Sequence, residues 1–196
     1  MANFETLKAN LERRGFAVTC FDTAAEAAAY LADKVAGRTV SFGGSMTLTE
    51  MGLPDRLAER STVISHWLGH THAEAAVTQV YLSSVNGIAE TGEIINIDGA
   101  GNRVTSTIFG HEEVYLVVGK NKVAPDYDAA LWRARNIASP KNAQRLNRKT
   151  PCAVKGDRCY DCNSPERICR ALTVLWEKPF GSKHVEVVLI DQELGY

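Results

Sequence analysis

The sequence predicts an α/β domain built on a mostly parallel sheet, and three observations lead to that class. Helical and β-prone segments alternate over the first 80 residues, which is typical of a parallel sheet covered by helices on both faces. Four β-prone runs then follow one another closely, so we expect an antiparallel or mixed part as well. The chain has 196 residues, of which 45% are hydrophobic, and this is enough for one sizeable core.

The first half of the chain supplies the alternation. Residues 3–14 are expected to form a helix, because Phe4, Leu7 and Leu11 recur at helical spacing. The elements expected after it are a strand at 16–21, a helix at 23–36 capped by Asp22, a strand at 38–42, short helices at 45–51 and after Pro54, a strand at 62–65 and a helix at 71–80.

The second half changes character at residue 81. Its β-prone runs cover 81–89, 93–98, 103–109 and 113–118, and glycine-containing turns separate them. A helix is expected at 126–138, and strands at 172–176 and 185–190 follow it. Residues 141–170 are rich in turns, and we interpret them as a small module embedded in one domain that spans 1–196.

Charge and composition exclude several classes of protein. The chain has 22 Lys and Arg against 23 Asp and Glu, a net charge of −1. General nucleic-acid and membrane-surface binders are usually basic, so we expect neither activity. The first residues do not resemble a signal peptide, and no apolar run is long enough for a membrane span. We therefore expect a cytoplasmic protein.

A glycine turn follows the strand expected at 38–42. Gly43 and Gly44 allow a ligand to approach the backbone closely, and Ser45 and Thr47 add hydroxyl donors. A glycine turn between a strand and a helix exposes backbone N–H groups that favour an anion. We predict that these four residues bind an anionic group. The alternative is an ordinary turn in which Ser45 only caps the helix.

The loop after the run at 81–89 contains the first candidate acid. Asn86 and Glu90 lie beside glycines at the end of an apolar strand. A carboxylate in such surroundings can serve as an acid, a base or a nucleophile, so we predict a catalytic role for Glu90 and a binding role for Asn86. The alternative is a hairpin turn with a solvated Glu90.

A second polar loop and a lysine extend this set. Asp98 is the second predicted catalytic acid, while Asn102 and Arg103 are predicted to bind ligand, the arginine by a bidentate contact. Lys122 follows the strand expected at 113–118 and suits an anionic ligand. The alternatives are a tight hairpin loop and an ordinary surface lysine.

Three histidines, His66, His70 and His72, lie within seven residues of one another. Their spacing fits no common zinc signature, and we favour loop and cap roles over a metal site.

Four of the five cysteines lie within 18 residues, at Cys152, Cys159, Cys162 and Cys169. Such a cluster in a reducing compartment indicates metal binding before disulfides. We predict a [4Fe–4S] cluster, with zinc as the alternative, and unligated cysteines or two disulfides as a third possibility. Residues 141–170 also contain eight Lys and Arg against three acids. That excess suits either anionic centre or an acidic partner.

Four blocks of the sequence resemble the LUD domain, a family of lactate utilisation proteins. They are residues 42–53 around the glycine turn, residues 89–92 (Ala-Glu-Thr-Gly), residues 96–104 and residues 117–123. In this order they span most of the chain, about 3–190, and the cysteine motif resembles that of a stand-alone subgroup.

The resemblance implies a fold similar to the NagB/RpiA/CoA-transferase superfamily, a three-layer α/β sandwich. It also implies a bacterial or archaeal origin and a link to the oxidation of L-lactate to pyruvate through iron–sulfur partners. In that superfamily the first glycine loop holds phosphate or CoA groups and acids on later loops do the chemistry. By analogy, Gly43, Gly44, Ser45 and Thr47 would bind ligand, while Glu90 and Asp98 would be the acids.

Three hypotheses about function follow. The first is a subunit or accessory of lactate oxidation that binds a small anionic organic ligand and meets iron–sulfur redox partners. The second is an isomerase or acyl/CoA-transferase-like enzyme that uses Glu90 and holds a structural zinc at the cysteines. The third is a non-catalytic regulatory module. A homodimer is compatible with each of them.

Overall fold

Two β-sheets organise the computed structural model, which describes residues 4–65 and 68–196. Ten strands lie in this part of the chain: β1 (Ala17–Phe21), β2 (Thr39–Phe42), β3 (Thr62–Ile64), β4 (Val80–Ser84), β5 (Gly87–Ala89), β6 (Ile94–Asp98), β7 (Glu113–Gly119), β8 (Val123–Ala124), β9 (Ala171–Leu175) and β10 (His184–Ile190). The larger sheet has the order β1-β10-β7-β4-β2-β3, and all of its pairs are parallel. The smaller sheet has the order β8-β5-β6-β9.

Nine α-helices lie in the same described residues: α1 (Glu5–Arg13), α2 (Ala24–Lys34), α3 (Met46–Glu50), α4 (Leu53–Arg60), α5 (His72–Ala75), α6 (Asn102–Ile108), α7 (Tyr127–Arg133), α8 (Ser139–Arg145) and α9 (Pro151–Lys155). A 3-10 turn at Lys120–Lys122 follows β7, and a π-helical segment at Ala134–Ala138 joins α7 to α8. Helix α2 begins with a capping box between Thr23 and Glu26. Thr23, and not the expected Asp22, therefore caps this helix.

Strand β7 shows how the layers are built, because its residues alternate between two cores. Tyr115 and Val117 pack in the core shared with α2, α3 and α4, whereas Leu116 and Val118 pack in the core shared with α1 and the smaller sheet. A strand that is apolar on both faces is typical of a parallel sheet covered on each side. The predicted α/β class with a mostly parallel sheet is confirmed.

The smaller sheet contains the antiparallel strands expected from the middle of the chain. The predicted run at 81–89 divides after Ser84, so that β4 belongs to the larger sheet and β5 to the smaller one. Strand β6 pairs antiparallel with β5 and with β9, while β8 pairs parallel with β5. Ala130 and Ala134 pack against this sheet, so α7 and the π-helical segment cover it.

The predicted strand at 103–109 is wrong, because Asn102–Ile108 form α6. Its β-branched residues favour a strand in isolation. However, Gly101 adopts a φ of 88° where the helix begins, and the Asp98 carboxylate accepts hydrogen bonds from the N–H groups of Arg103 and Val104. Capping of the first turn therefore overrides the intrinsic preference.

Helix α5 is shorter than the helix expected at 71–80, and ends at Ala75. A capping box between Thr71 and Glu74 begins it. Within the described residues, no helix combines the length and the apolar character that crossing a membrane requires.

The segments that follow three neighbouring strands meet at one edge of the larger sheet. Strands β2, β4 and β7 are parallel, so their carboxyl ends lie at the same edge. The glycine turn at 43–47 follows β2, Asn86 follows β4, and Lys122 follows β7. Ligands of open parallel sheets bind outside this kind of edge, so the topology directs attention there.

Candidate functional site

A basic cleft of about 530 Å³ opens at this edge. Five arginines line it: Arg103, Arg145, Arg148, Arg167 and Arg170. The acids that line it are Asp98 and Glu166, and both carboxylates accept hydrogen bonds from backbone N–H groups. The cleft therefore has an excess of positive charge and suits an anionic ligand.

A small recess of about 40 Å³ continues from the cleft toward the glycine turn. The two spaces share Gly44, Asn86, Arg103 and Arg145 in their walls. The recess is lined in addition by hydroxyl and amine side chains: Ser45, Thr47, Ser84 and Lys122. It is therefore the most polar part of the site, and it contains most of the predicted ligand-binding residues.

The glycine turn brings its neighbours into close contact. A Cβ atom on Gly43 would lie 2.8 Å from both the Tyr81 hydroxyl oxygen and the Arg103 Cγ. Since Tyr81 is itself 3% exposed and held in a core, only glycine allows this approach. Ser45 begins α3, and its side chain accepts the Leu48 N–H at 3.4 Å.

Lys122 is the central group of the recess and is 3% exposed. Its Nζ donates to Thr47 Oγ1 at 2.8 Å and to Ser84 Oγ at 2.9 Å. These hydroxyls in turn donate to the backbone carbonyls of Leu194 and Val117. The interpretation of Lys122 as an ordinary surface lysine therefore does not apply.

The pKa of Lys122 is lowered to about 7, mainly by burial and in addition by the nearby cations Arg133 and Arg103, whereas Glu50 acts in the opposite direction. In the described part of the chain no carboxylate oxygen lies within ion-pair distance of its Nζ. A cation that is buried without an acid is costly. The arrangement is thus suited either to a neutral Lys122 amine or to a charged Lys122 that pairs with a bound anion.

A segment at 191–196 borders the recess through Tyr196. Asn121 holds it by accepting from the Leu194 N–H and donating to the Gly195 carbonyl, both at 3.1 Å. The Gly195 N–H donates to Glu50, and Tyr196 lines the recess. No motif in the sequence indicates this contact, because it joins residues more than 70 positions apart.

Asp98 and Arg103 form a fixed unit at the floor of the cleft. The Asp98 carboxylate is 5% exposed and accepts from the N–H groups of Gly99, Arg103 and Val104 at 2.7, 2.9 and 3.2 Å. The Arg103 guanidinium donates to the Ile97 carbonyl and lies 3.8 Å from Asp98. In this geometry Asp98 positions Arg103 and caps α6. Asn102, next to them, lines the cleft.

Asn86 and Glu90 have different surroundings although they are four residues apart. The Asn86 side chain accepts from the Ile97 N–H at 2.7 Å, and Asn86 lines both spaces. Glu90 is exposed at the turn between β5 and β6, where its carbonyl accepts from Asn10. Glu90 lines neither the cleft nor the recess. The structure therefore does not bring Glu90 to the glycine turn.

Of the five arginines that line the cleft, sequence reasoning assigned only Arg103 to the site, and it also missed the buried Arg133. Arg145, on α8, lines the cleft and the recess, and its guanidinium donates to the Asn142 side chain. Arg133 is 7% exposed and donates to the carbonyls of Asn121 and Asn86 at 2.8 and 2.6 Å. Neither lies in a recognisable motif, so only the tertiary fold reveals them.

The four cysteines lie in a turn-rich segment beside the cleft. Cys159 and Cys169 line one cavity of about 270 Å³ together with Arg135, Arg167 and Arg170. Cys152 instead lies on α9 with its Sγ 3.3 Å from Thr150 Oγ1, and the Cys162 carbonyl accepts from Arg167. Among the described residues no group of three or more His, Cys, Asp or Glu side chains is arranged to hold a metal. The [4Fe–4S] cluster and its zinc alternative at these cysteines stay predictions.

The histidine segment contributes little to the site. His72 lines the cleft, and the His70 Nδ1 lies 4.0 Å from Glu74. His66 lies outside the described residues.

The fold and the site together define an α/β protein with a basic, lysine-containing cleft at the carboxyl edge of a parallel sheet. The chain belongs to the LUD domain family, whose model matches residues 4–190. The resemblance of the four sequence blocks to that family is confirmed.

A solved structure supports the same fold. A DUF162 family protein from Deinococcus radiodurans is similar over 94% of both chains, with a TM-score of 0.55 and 15% sequence identity. Ribose 5-phosphate isomerase from Plasmodium falciparum is similar over 52% of both chains, with a TM-score of 0.34 and 12% identity. Comparison with curated proteins finds no match.

Proposed function

We propose that this LUD-domain protein binds a small anionic organic ligand in the cleft, with the anionic group in the recess beside Lys122. The observation that carries the proposal is the burial of Lys122 against two hydroxyls and no acid. Burying a cation without a counter-charge costs free energy. A carboxylate or phosphate in the recess would supply the missing charge.

The arginines of the cleft support the same ligand class. Arg103 and Arg145 border the recess, and they are oriented by polar groups of the protein: Asp98 and the Ile97 carbonyl for Arg103, and Asn142 for Arg145. A guanidinium held in this way is preorganised for a planar anion. The cleft beyond the recess has room for the organic part of the ligand.

The family gives this binding a context. We propose that the protein acts beside iron–sulfur partners in the oxidation of L-lactate to pyruvate, which would make the ligand a small carboxylate. The basic segment at 141–170 would present its cations to an acidic partner. A [4Fe–4S] or zinc centre at the four cysteines would require the loops to bring the thiols closer together, and we assign no chemical step to it.

The second candidate is an isomerase or acyl/CoA-transferase-like enzyme that uses Glu90. It is the weaker proposal, because Glu90 is exposed and lines neither the cleft nor the recess. A catalytic carboxylate must come within hydrogen-bond distance of the reacting group.

A thermal-shift panel tests the proposal. Glyoxylate, pyruvate, L-lactate, inorganic phosphate and ribose 5-phosphate would each be titrated into the wild type, Arg145→Gln and the matched control Arg56→Gln, whose arginine is exposed on α4 away from the cleft. We expect at least one of these anions to raise Tm in the wild type and the control but much less in Arg145→Gln, since binding to the folded state stabilises it. No shift with any anion, or an equal shift in Arg145→Gln, would contradict the proposal.

A further inference from the structure

We propose that Lys122 forms a Schiff base with a small 2-oxo carboxylate, an inference that rests on the anion-binding function proposed above. The amine would attack the carbonyl carbon in the recess while the arginines hold the carboxylate. The recess would then bind its ligand covalently, and the ligand would be a 2-oxo acid.

The hydrogen bonds of Lys122 match a neutral amine. Thr47 Oγ1 and Ser84 Oγ each give their own hydrogen to a backbone carbonyl, so each uses a lone pair to accept from Nζ. Two donated hydrogens account for both N–H bonds of an uncharged NH₂ group. Its lone pair has no role in this network and remains for a carbonyl carbon, whereas an ammonium would have a third N–H to place.

The charges around Lys122 favour the same state. Arg133 on α7, Arg103 on α6 and Arg145 on α8 contribute positive charge around the recess, and Glu50 on α3 is the acid whose charge reaches it. Burial and the neighbouring cations place the pKa of Lys122 at about 7. A desolvated lysine beside other cations is the arrangement that activates an amine as a nucleophile at neutral pH.

The size and chemistry of the recess select the substrate. Its 40 Å³ accommodates one small polar group, on the order of two or three water-sized volumes, and not an extended chain. Arg103 and Arg145 border the same space and suit a carboxylate next to the reacting carbon. A 2-oxo acid places carboxylate and carbonyl on adjacent carbons, so one molecule meets both requirements.

The reaction balances without a redox partner. The nitrogen lone pair forms a C–N bond as the carbonyl π bond opens, and one amine proton moves to that oxygen to give a carbinolamine. The second amine proton leaves with this hydroxyl as water, and a C=N bond forms. One lysine amine and one oxo acid therefore give one imine and one water.

Borohydride trapping tests the inference. The full chain would be incubated with glyoxylate or pyruvate, reduced with sodium borohydride, digested and mapped by mass spectrometry. Reduction adds two hydrogens to the imine, so the modified lysine gains the mass of the oxo acid less one oxygen atom. We expect the adduct on Lys122 at pH 7 in at least about tenfold excess over any other lysine, because an ordinary amine with a pKa near 10.4 is almost fully protonated there.

Two variants and a pH series serve as controls. Lys120→Arg changes the neighbouring exposed lysine, which pairs with Asp191, and should label as the wild type does. Lys122→Arg keeps a cation but has no nucleophilic amine, so its adduct should disappear. In the wild type, labelling should rise from pH 6 to 8 as Lys122 loses its proton.

The outcomes separate this inference from the proposed function. Calorimetric binding of glyoxylate or pyruvate without an adduct on Lys122, or equal labelling of several lysines, would overturn the Schiff base and leave the anion site intact. Absence of binding by every anion in the thermal-shift panel would overturn the proposed function and this inference with it.

Discussion

The recess around Lys122 and the cysteine segment contrast sharply in how they are built. The recess joins residues from β4, α3, the 3-10 turn and the segment at 191–196, and its amine is 3% exposed. The cysteine segment at 150–170 contains the short helix α9 and is otherwise mostly irregular, and its thiols do not form a metal-binding group among the described residues. The denser cluster of reactive side chains in the sequence is therefore the less buried of the two regions, since all four of its cysteines are partly exposed.

The largest expected effect compares two aspartates. Asp98→Ala removes a buried carboxylate that accepts three backbone N–H groups and faces Arg103. We expect it to lower the free energy of unfolding by about 3 kcal/mol, because buried donors and a cation lose their partner. Asp161→Ala, in the cysteine segment, removes an exposed carboxylate that pairs with Arg135 and Arg167. It should cost less than about 1 kcal/mol.

Urea denaturation of both variants provides the measurement. Equal decreases in the free energy of unfolding of Asp98→Ala and Asp161→Ala would contradict the proposed difference between the two regions.

The second prediction uses the pH dependence of stability. The pKa of Lys122 is lowered to about 7 in the folded state, whereas an unfolded lysine titrates near 10.4. Between these values the unfolded state binds more protons, so stability rises with pH. The gain is lost as pH falls from about 10 toward 7, and below 7 both states are protonated and the curve is flat. Relative to Lys122→Met, we expect the wild type to gain about 2 to 3 kcal/mol between pH 7 and 9.

Chemical denaturation of the wild type and Lys122→Met at pH 6, 7, 8 and 9 measures how the free energy of unfolding of each protein changes with pH. Parallel curves for wild type and Lys122→Met would show that the lysine titrates as a surface group does.

The third prediction compares two glycines with positive φ. A Cβ on Gly195 would lie 2.7 Å from Thr47 Oγ1 and 3.0 Å from the Thr47 nitrogen, at a φ of 60°. A Cβ on Gly156, at a φ of 69°, would meet only the Gln144 side chain at 3.3 Å. We expect Gly195→Ala to cost about 2 kcal/mol and Gly156→Ala about 1 kcal/mol, since both incur backbone strain but only the first also clashes with buried atoms.

Thermal unfolding of the two variants would measure this difference. Identical Tm values for the two variants would mean that the segment at 191–196 is not packed over the recess.

The parallel sheet and most of its elements could be predicted from the sequence, because hydrophobic periodicity and turn residues are local signals. The segment at 103–109 could not, since the cap that makes it helical comes from Asp98, outside the segment.

In the site, the glycine turn, Asn86, Arg103 and Lys122 were predicted and meet at the recess. Arg133, Arg145 and the segment at 191–196 were not, because their contacts bridge distant parts of the chain. Glu90 is the opposite case: the sequence motif predicted it as a site residue, but it lies in a solvent-exposed turn.

The measurement that tests the central claim most directly is a calorimetric titration of glyoxylate at pH 6, where Lys122 is mostly charged. Three proteins would be compared: the wild type, Lys122→Met, and a variant with Cys152, Cys159, Cys162 and Cys169 all changed to Ser. We predict that Lys122→Met weakens binding at least about tenfold, as loss of a charge-assisted hydrogen bond does. The four-cysteine variant should bind within about twofold of the wild type. No binding by the wild type, equal affinity in Lys122→Met, or loss of binding only in the four-cysteine variant would contradict the assignment of the anion site to the recess.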